Sequence, residues 1–409
     1  MKKKTVFVGI SGGVDSAVSA AILKKQGYEV VGVFIRTWHP NFLKCNEEEE
    51  RLDAMRVAAH LDIPFLTFDL ADVYKKEVAD YMISEYKVGR TPNPDVMCNK
   101  EVKFGVFLKK AISIGADYVA TGHYAQNFSK NIKHLLSHGP YSNLNMVNKT
   151  NIAYTEESTA LCFLGNGVDT SKDQSYFLWT LKQEQLKRIL FPIGHLKKIE
   201  VRKLAKKFNL PVAEKKDSQG ICFLGAVDLK DFLKHYIKEK KGKVLNQNGE
   251  EIGYHSGVVF HTLGERHGFV ITKKGSKDGA YYVIGKDLKK NILYVSQDKN
   301  FQQNKKQLLS HGTYSNLNVV NETNIAYAEE STALYSVKIK DVNWILSVPQ
   351  EGKDYKAQIR YHGEFLLCKI KCAKSNFAQI IFGKPILVAS GQSCVLYDKN
   401  VCLGGGIVI

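Results

Sequence analysis

The stretch Gly9-Ile10-Ser11-Gly12-Gly13-Val14-Asp15-Ser16 decides the fold of this chain. Before it stands a short β-branched run, Lys4-Thr5-Val6-Phe7-Val8; after it, residues 17–25 are helix formers at helical spacing. The pattern predicts a strand, a tight glycine turn and a helix. The free amides of such a turn and of the helix start form an anion cradle, and paired glycines let the backbone approach a phosphate closely. No Lys follows the glycines and the order is not Gly-x-Gly-x-x-Gly, so the two commonest nucleotide-loop patterns do not apply.

Working outward, strands and helices alternate through the first 125 residues or so. Strands are expected over 29–35, 65–70 and 117–121, and helices over 47–60 and 72–86, with Gly27 ending the first helix. A Pro-rich loop over 89–99 leads into a helix reaching about residue 114. Repeated βα units predict a doubly wound α/β domain, with a parallel sheet covered on both faces and ligands at the carboxyl ends of the strands. Ser11, Ile35, Thr37, Gly122 and His123 fall at those ends.

At 409 residues the chain is too long for one core and predicts two or three domains. Lys and Arg total 58 against 41 acidic residues, a net charge of +17, which points to a polyanionic partner. Between Lys182 and Lys216 eleven basic residues face three Glu, a local +8. The apolar run after Met1-Lys2-Lys3-Lys4 is too short for a signal peptide, and no run is long enough to span a membrane. A soluble, cytoplasmic protein is expected, with its eight cysteines starting as thiols. No Cys-x-x-Cys pair occurs, so no structural metal site is expected.

Residues 135–161 recur as 308–334, the two 27-residue copies differing at four positions. Both are polar and lie between expected elements, so they read as surface insertions that loops tolerate at modest entropic cost. Between them, Lys172-Asp173-Gln174-Ser175-Tyr176-Phe177-Leu178-Trp179 is expected to open a helix running to about 189, and 197–209 a basic helix. Residues 243–296 carry β signals, including Val258-Val259-Phe260. Six short strands are expected over 335–341, 355–361, 364–371, 377–382, 393–397 and 401–409, a small all-β barrel or sandwich.

Two cysteines stand apart. Cys98 ends the run Asn93-Pro94-Asp95-Val96-Met97-Cys98, expected to sit just before a helix, where the dipole would favour its thiolate. Asp95 lies within three residues and could move a proton. Cys222, in Ser218-Gln219-Gly220-Ile221-Cys222, follows a flexible glycine and a basic stretch. On context alone either is a candidate nucleophile. Cys368, Cys372, Cys394 and Cys402 lie in β-like apolar runs and are expected in cores, Cys162 borders the first repeat copy, and Cys45 sits in a polar loop.

Ser-Gly-Gly-x-Asp-Ser resembles the pyrophosphate-binding loop of the ATP pyrophosphatase (PP-loop) superfamily. Together with Asn93-Pro94-Asp95 and Cys98, Ala120-Thr121-Gly122-His123-Tyr124, Lys172–Phe177, Asp217–Phe223 and Ser390-Gly391-Gln392, it resembles the tRNA-specific 2-thiouridylase family across essentially the whole chain outside the repeats. The resemblance implies a PP-loop catalytic domain over 1–226, a small central, mainly β domain over 227–300 and a tRNA-binding β-barrel over 335–409. It implies ATP-dependent 2-thiolation of the tRNA wobble uridine: adenylation of the base O2, then sulfur transfer from a cysteine persulfide.

By the same resemblance Gly9, Ile10, Ser11, Gly12, Gly13, Val14, Asp15 and Ser16 would bind ATP, with Ile35 and Gly122 lining the nucleotide pocket. Asn93, Pro94 and Asp95 would meet the target base, Asp95 as general acid/base. Cys222 would carry the persulfide, and Cys98 would free the sulfur and end in a Cys98–Cys222 disulfide. His123, Lys172, Asp173, Gln174, Arg360, Tyr361 and Gln392 would contact tRNA. Magnesium is expected with ATP, a sulfur-donor protein as partner, and no membrane. The bottom-up chemistry agrees, because a carbonyl oxygen leaves only after activation, and sulfur transfer needs a carrier thiolate and a second thiol to reduce it. Two rivals remain at this level: another PP-loop enzyme such as an amide-forming ligase, and a tRNA-binding protein whose catalysis the insertions have abolished.

Overall fold

The computed structural model describes residues 3–43, 46–131, 160–217, 220, 222, 228–273, 275, 279–297, 335–374, 376–384 and 386–409. Strands β1 (Thr5–Gly9), β2 (Glu29–Arg36), β3 (Phe65–Asp69), β4 (Tyr118–Ala120) and β7 (Ile189–Leu190) form a parallel sheet in the order β3-β2-β1-β4-β7. Successive side chains of a strand face opposite ways, and the sheet's two coverings follow from that. Val6 and Val8 pack with Ala17 and Val18 of α1 (Val14–Lys25) and with Ala54 and Val57 of α2 (Glu47–His60). Phe7, Val33 and Ile35 pack on the other face with Tyr74, Val78, Met82, Val102 and Phe107. The doubly wound expectation holds.

The second face is built by two long helices with wide, π-type winding. The first, α3, runs through Ala71–Tyr74, Lys75–Asp80 and Tyr81–Lys87, the middle segment being π-type. The next, α4, runs through Pro94–Met97, a π-type Cys98–Phe107 and Leu108–Ser113. Asn93 caps α4 by accepting from the Val96 amide at 3.2 Å, and Pro94 occupies the first helical position, which needs no N–H donor. This corrects the loop expected over 89–99. The helix starts at Pro94, so Cys98 lies one turn inside it, beyond the free N-terminal amides.

The helix expected over 172–189 is also replaced. A 3-10 turn at Ser175–Leu178, a single turn at Gln183–Leu186 and β7 occupy it. Tertiary bonds override the helical pattern there: Tyr176 donates to the Ser393 carbonyl at 2.9 Å and Trp179 to Ser393 Oγ at 3.1 Å. The basic helix appears as α5, Lys198–Lys207.

The central sheet has the order β10-β9-β8-β12-β11, from β8 (Gly242–Leu245), β9 (Glu251–His255), β10 (Phe269–Ile271), β11 (Tyr282–Asp287) and β12 (Ile292–Ser296). Val258–Phe260, expected extended, is a 3-10 turn. All six expected C-terminal strands form: β13 (Tyr335–Trp344), β14 (Asp354–Gln358), β15 (Leu366–Ala373), β16 (Phe377–Phe382), β17 (Ser393–Asp398) and β18 (Val401–Val408). Pairing of β13 with β18 closes them into a barrel.

One connection was not foreseen. The hairpin of β5 (Ala125–Asn131) and β6 (Ala160–Asn166) adds to the barrel sheet through β6 and β18, Leu164 facing Cys402. Ala160 and Leu161, the last residues of the first repeat copy, belong to β6 rather than to an insertion. The remainder of that copy, the whole second copy and Cys45 lie outside the described residues.

Candidate functional site

The glycine loop leaves β1 and closes on α1. The Ser11 amide donates to Ser16 Oγ at 3.2 Å, and Ser16 Oγ donates to the Gly13 carbonyl at 3.1 Å, so the serines brace the turn. Gly12 has φ +72°, and a Cβ there would stand 2.5 Å from the Glu50 carbonyl. A Cβ on Gly122 would stand 2.7 Å from the Ser16 amide, so the end of β4 presses directly on the helix start. Ile35 is buried beneath, at the end of β2. Backbone donors and bare glycine surface are what a polyphosphate chain requires.

Beside the loop runs a chain of charges that the sequence reading missed. Tyr124 donates to Asp15 Oδ1 at 2.8 Å, and Lys198 Nζ reaches the two Asp15 oxygens at 2.7 and 2.9 Å. Lys198 also pairs with Asp217 at 2.8 Å, Lys172 pairs with Asp217 at 3.0 Å, and Arg202 joins the same carboxylate. Burial pushes the Asp217 carboxyl up, but Lys198 and Lys172 outweigh it and hold it at about 2. Three of the basic residues between Lys182 and Lys216 are therefore spent on the domain's own carboxylates: Lys198 and Arg202 here, and Lys215 on Asp53 at 2.7 Å. The one-turn spacing of Lys198 and Arg202 was the available signal.

The two singled-out cysteines meet. Cys98 Sγ and Cys222 Sγ are 3.6 Å apart, although 124 residues separate them in sequence. Asp95 Oδ1 accepts from the Cys222 amide at 2.9 Å, and the Tyr74 hydroxyl donates to the Cys222 carbonyl at 2.7 Å. Gly220, at φ +100°, turns the chain into this position. Cys98 is wholly buried, and burial together with its bond to Cys222 pushes its thiol up. This reverses the expected dipole-favoured thiolate at Cys98. At Cys222 the bond from Cys98 outweighs burial, and with the Lys103 ammonium it pulls the thiol down. Burial raises the Asp95 carboxyl, against the pull of the Cys222 amide and Lys103. A buried carboxyl with a raised proton affinity suits proton transfer.

The remaining candidates frame this pocket. His123 is buried, with Nδ1 2.7 Å from Thr121 Oγ1 and its ring against Phe104 and Phe191. Burial and Lys103 keep it neutral. Gln174 exchanges bonds with the Tyr124 backbone at 2.9 and 3.0 Å, and Asp173 accepts from the Gly167 and Ser175 amides. Arg360 donates to the Leu263 carbonyl at 2.6 Å, joining the barrel to the central domain. Tyr361 packs on Phe177 with ring centroids 4.3 Å apart. The Ser390-Gly391-Gln392 turn sits against Thr91, whose amide donates to the Ser390 carbonyl at 2.8 Å. Gln392 Oε1 is buried with no partner among the described residues. Of the four cysteines expected in cores, Cys368, Cys394 and Cys402 are buried and Cys372 is only half-buried; Cys162, at the border of the first repeat copy, is buried too.

Family models cover almost the whole chain: a tRNA methyl transferase HUP domain over residues 4–226, a tRNA methyl transferase PRC-barrel domain over 230–297 and an aminomethyltransferase β-barrel domain over 335–408. The chain is 37% identical to the tRNA-specific 2-thiouridylase MnmA of Streptococcus thermophilus, over 99% of its own length and 95% of the relative's. It is 39% identical to MnmA of Buchnera aphidicola (100% and 97%) and 38% identical to that of Nitrosomonas europaea (100% and 99%). A solved 4-thiouridine synthetase–RNA complex with bound ATP is 18% identical over 57% of this chain and 50% of that one. Its TM-score of 0.32 is too low to carry weight. Similarity of this extent, spanning all three sheets and both cysteines, settles membership: the chain belongs to the tRNA-specific 2-thiouridylase family.

Proposed function

We propose that this protein replaces O2 of the tRNA wobble uridine by sulfur, consuming ATP and releasing AMP and diphosphate. The observation that supports this reading best is the pair of thiols 3.6 Å apart, with Asp95 bonded to the backbone of one of them, in a domain that also carries the glycine loop. A nucleotide loop alone suits many ligases; a second thiol within reach of the first suits sulfur release.

In this reading Gly9–Ser16 hold the polyphosphate, with Ile35 and Gly122 lining the nucleotide pocket. Asn93, Pro94 and Asp95 face the base, and Asp95 moves the proton. The Cys222 thiolate attacks the outer sulfur of a donor protein's cysteine persulfide, and the donor's thiolate leaves. The terminal sulfur on Cys222 then attacks the adenylated carbon, expelling AMP. The Cys98 thiolate attacks Cys222 Sγ, leaving the sulfur on the base and a Cys98–Cys222 disulfide that an external thiol must reduce.

Tyr361, Gln392 and Lys172, the last also paired with Asp217, contact the tRNA, while His123, Asp173, Gln174 and Arg360 hold the surface that presents them. The work divides among 1–226, 227–300 and 335–409. Magnesium carried by the polyphosphate would neutralise its charge; among the described residues no group of three or more His, Cys, Asp or Glu side chains could hold a metal. The cytoplasm, where thiols stay reduced, is the compartment this chemistry needs. No helix among the described residues is long and apolar enough to cross a membrane.

The test is 2-thiouridine formation on unmodified tRNA with ATP, Mg²⁺ and a persulfide donor. Wild type should thiolate, while Cys98→Ala and Cys222→Ala should not, with ATP binding retained in both. Cys98→Ser with undiminished ATP turnover and no sulfur incorporation in any variant would instead mark an amide-forming PP-loop enzyme.

A further inference from the structure

Lys103 appears in no candidate set drawn from the sequence, yet it is the cation of the thiol pocket. In an ordinary α-helix, residues five apart diverge around the axis. The winding of α4 is π-type over Cys98–Phe107, and i→i+5 bonding brings residues five apart onto one side. Cys98 and Lys103 stand five apart. The Lys103 ammonium consequently reaches the two-sulfur site and bonds to the sulfur of Cys222.

The groups facing this ammonium come from every surrounding element. Asp95 and Cys98 lie on α4, Cys222 on its loop and His123 after β4; Tyr74 of α3 and Tyr361 of the barrel stand by Asp95. His123 is neutral, and Tyr74 and Tyr361 are held protonated by burial. Among the described residues Lys103 is therefore the cation against which a thiolate and the Asp95 carboxylate must be balanced. Burial works against its charge, but the two sulfurs and Asp95 hold it firmly protonated. One half-buried cation is enough to sustain one thiolate, and it sits beside Cys222.

We propose that Lys103 is a positioning residue that fixes the thiolate of the pair on Cys222, leaving Cys98 as the hydrogen-bond donor until sulfur has been loaded. The inference rests on the thiolase reading and gives it an order: the acceptor thiol is selected electrostatically before any donor arrives. Cys98 then becomes a nucleophile only when the sulfur beyond Cys222 carries the negative charge away to the base. The π-type winding is the structural device that makes the selection.

The test measures thiolate directly. Wild type, Lys103→Met, Lys103→Gln and Lys103→Arg are treated with iodoacetamide across pH 5–10, and the peptides carrying Cys98 and Cys222 are quantified separately by mass. Removing the charge should move the Cys222 alkylation midpoint up by about one unit and slow its labelling at neutral pH about tenfold. Lys103→Arg should restore most of both. Thermal unfolding identifies variants that fold, and two neutral substitutions guard against the loss of one. A folded Lys103→Met or Lys103→Gln with an unchanged Cys222 midpoint would overturn the proposal, as would a wild-type protein in which Cys98 labels first. Alkylation uses no ATP, tRNA or donor, so a failure of the thiolase reading, seen as absent 2-thiouridine, is read separately.

Discussion

The glycine loop and the thiol pocket are built on opposite plans. The loop is continuous: eight consecutive residues, braced by their own serines. The pocket is assembled from α3, α4, a loop 124 residues beyond Cys98, and the barrel. A local motif tolerates distant change because its geometry travels with its sequence. An assembled pocket has no such insurance, and its chemistry depends on charges contributed by elements that share only a packing interface. The two are joined through Gly122 and His123, consecutive residues of which one abuts the loop and the other faces Lys103.

That contrast can be broken from either side. The largest effect is expected from Gly122→Val, whose side chain would collide with the Ser16 amide and the Asp15 backbone. AMP formation should fall more than about a hundredfold, since misplacement of a reacting group is that costly. The pH profile of Cys222 alkylation should stay where it is, and a profile that shifted would show the two sites to be one. Next, Asp95→Asn keeps an oxygen for the Cys222 amide but cannot carry a proton. Thiolation at saturating ATP should drop about a hundredfold, the usual scale of a lost acid/base, with the KM for ATP unchanged.

Asp217→Asn probes the charge chain beside the loop. It should raise the KM for ATP about three- to tenfold by leaving Lys198 and Lys172 without their shared carboxylate. It also has a pH signature. A carboxyl held at about 2 in the folded chain stabilises it above the ordinary value and loses that contribution as pH falls through the folded value. Wild type should lose about 2 kcal/mol of stability between pH 4 and 2 that Asp217→Asn never had. The smallest effect belongs to Trp179→Phe, which removes the bond to Ser393 Oγ. A loss of about 1–2 kcal/mol, read as a melting temperature lower by a few degrees, is expected with thiolation intact.

How much was legible follows the same division. The loop, the order of the parallel strands' elements and all six barrel strands could be read because periodicity and turn residues are local signals. The pairing of Cys98 with Cys222 came only through family resemblance, since nothing in either neighbourhood names the other. The α4 start was missed because Asn93-Pro94 reads equally as loop and as cap, which displaced Cys98 to the wrong environment. Lys103 was invisible because a spacing of five signifies opposite faces unless the winding is π-type. Lys198 and Arg202 were counted toward an external polyanion because sequence shows charge but not its direction, and Asp15 and Asp217 claim them.

The pairing of β6 with β18 also governs how the molecule can be made. Leu164 is synthesised long before Cys402, so β6 presents an unsatisfied edge until residues 401 and 402 have left the ribosome. Closure of the barrel between β13 and β18 waits on the same segment. A messenger truncated before residue 401 would therefore leave β6, β13 and β17 each without the partner that β18 supplies. Such a fragment is suited to aggregation or chaperone capture rather than to partial function.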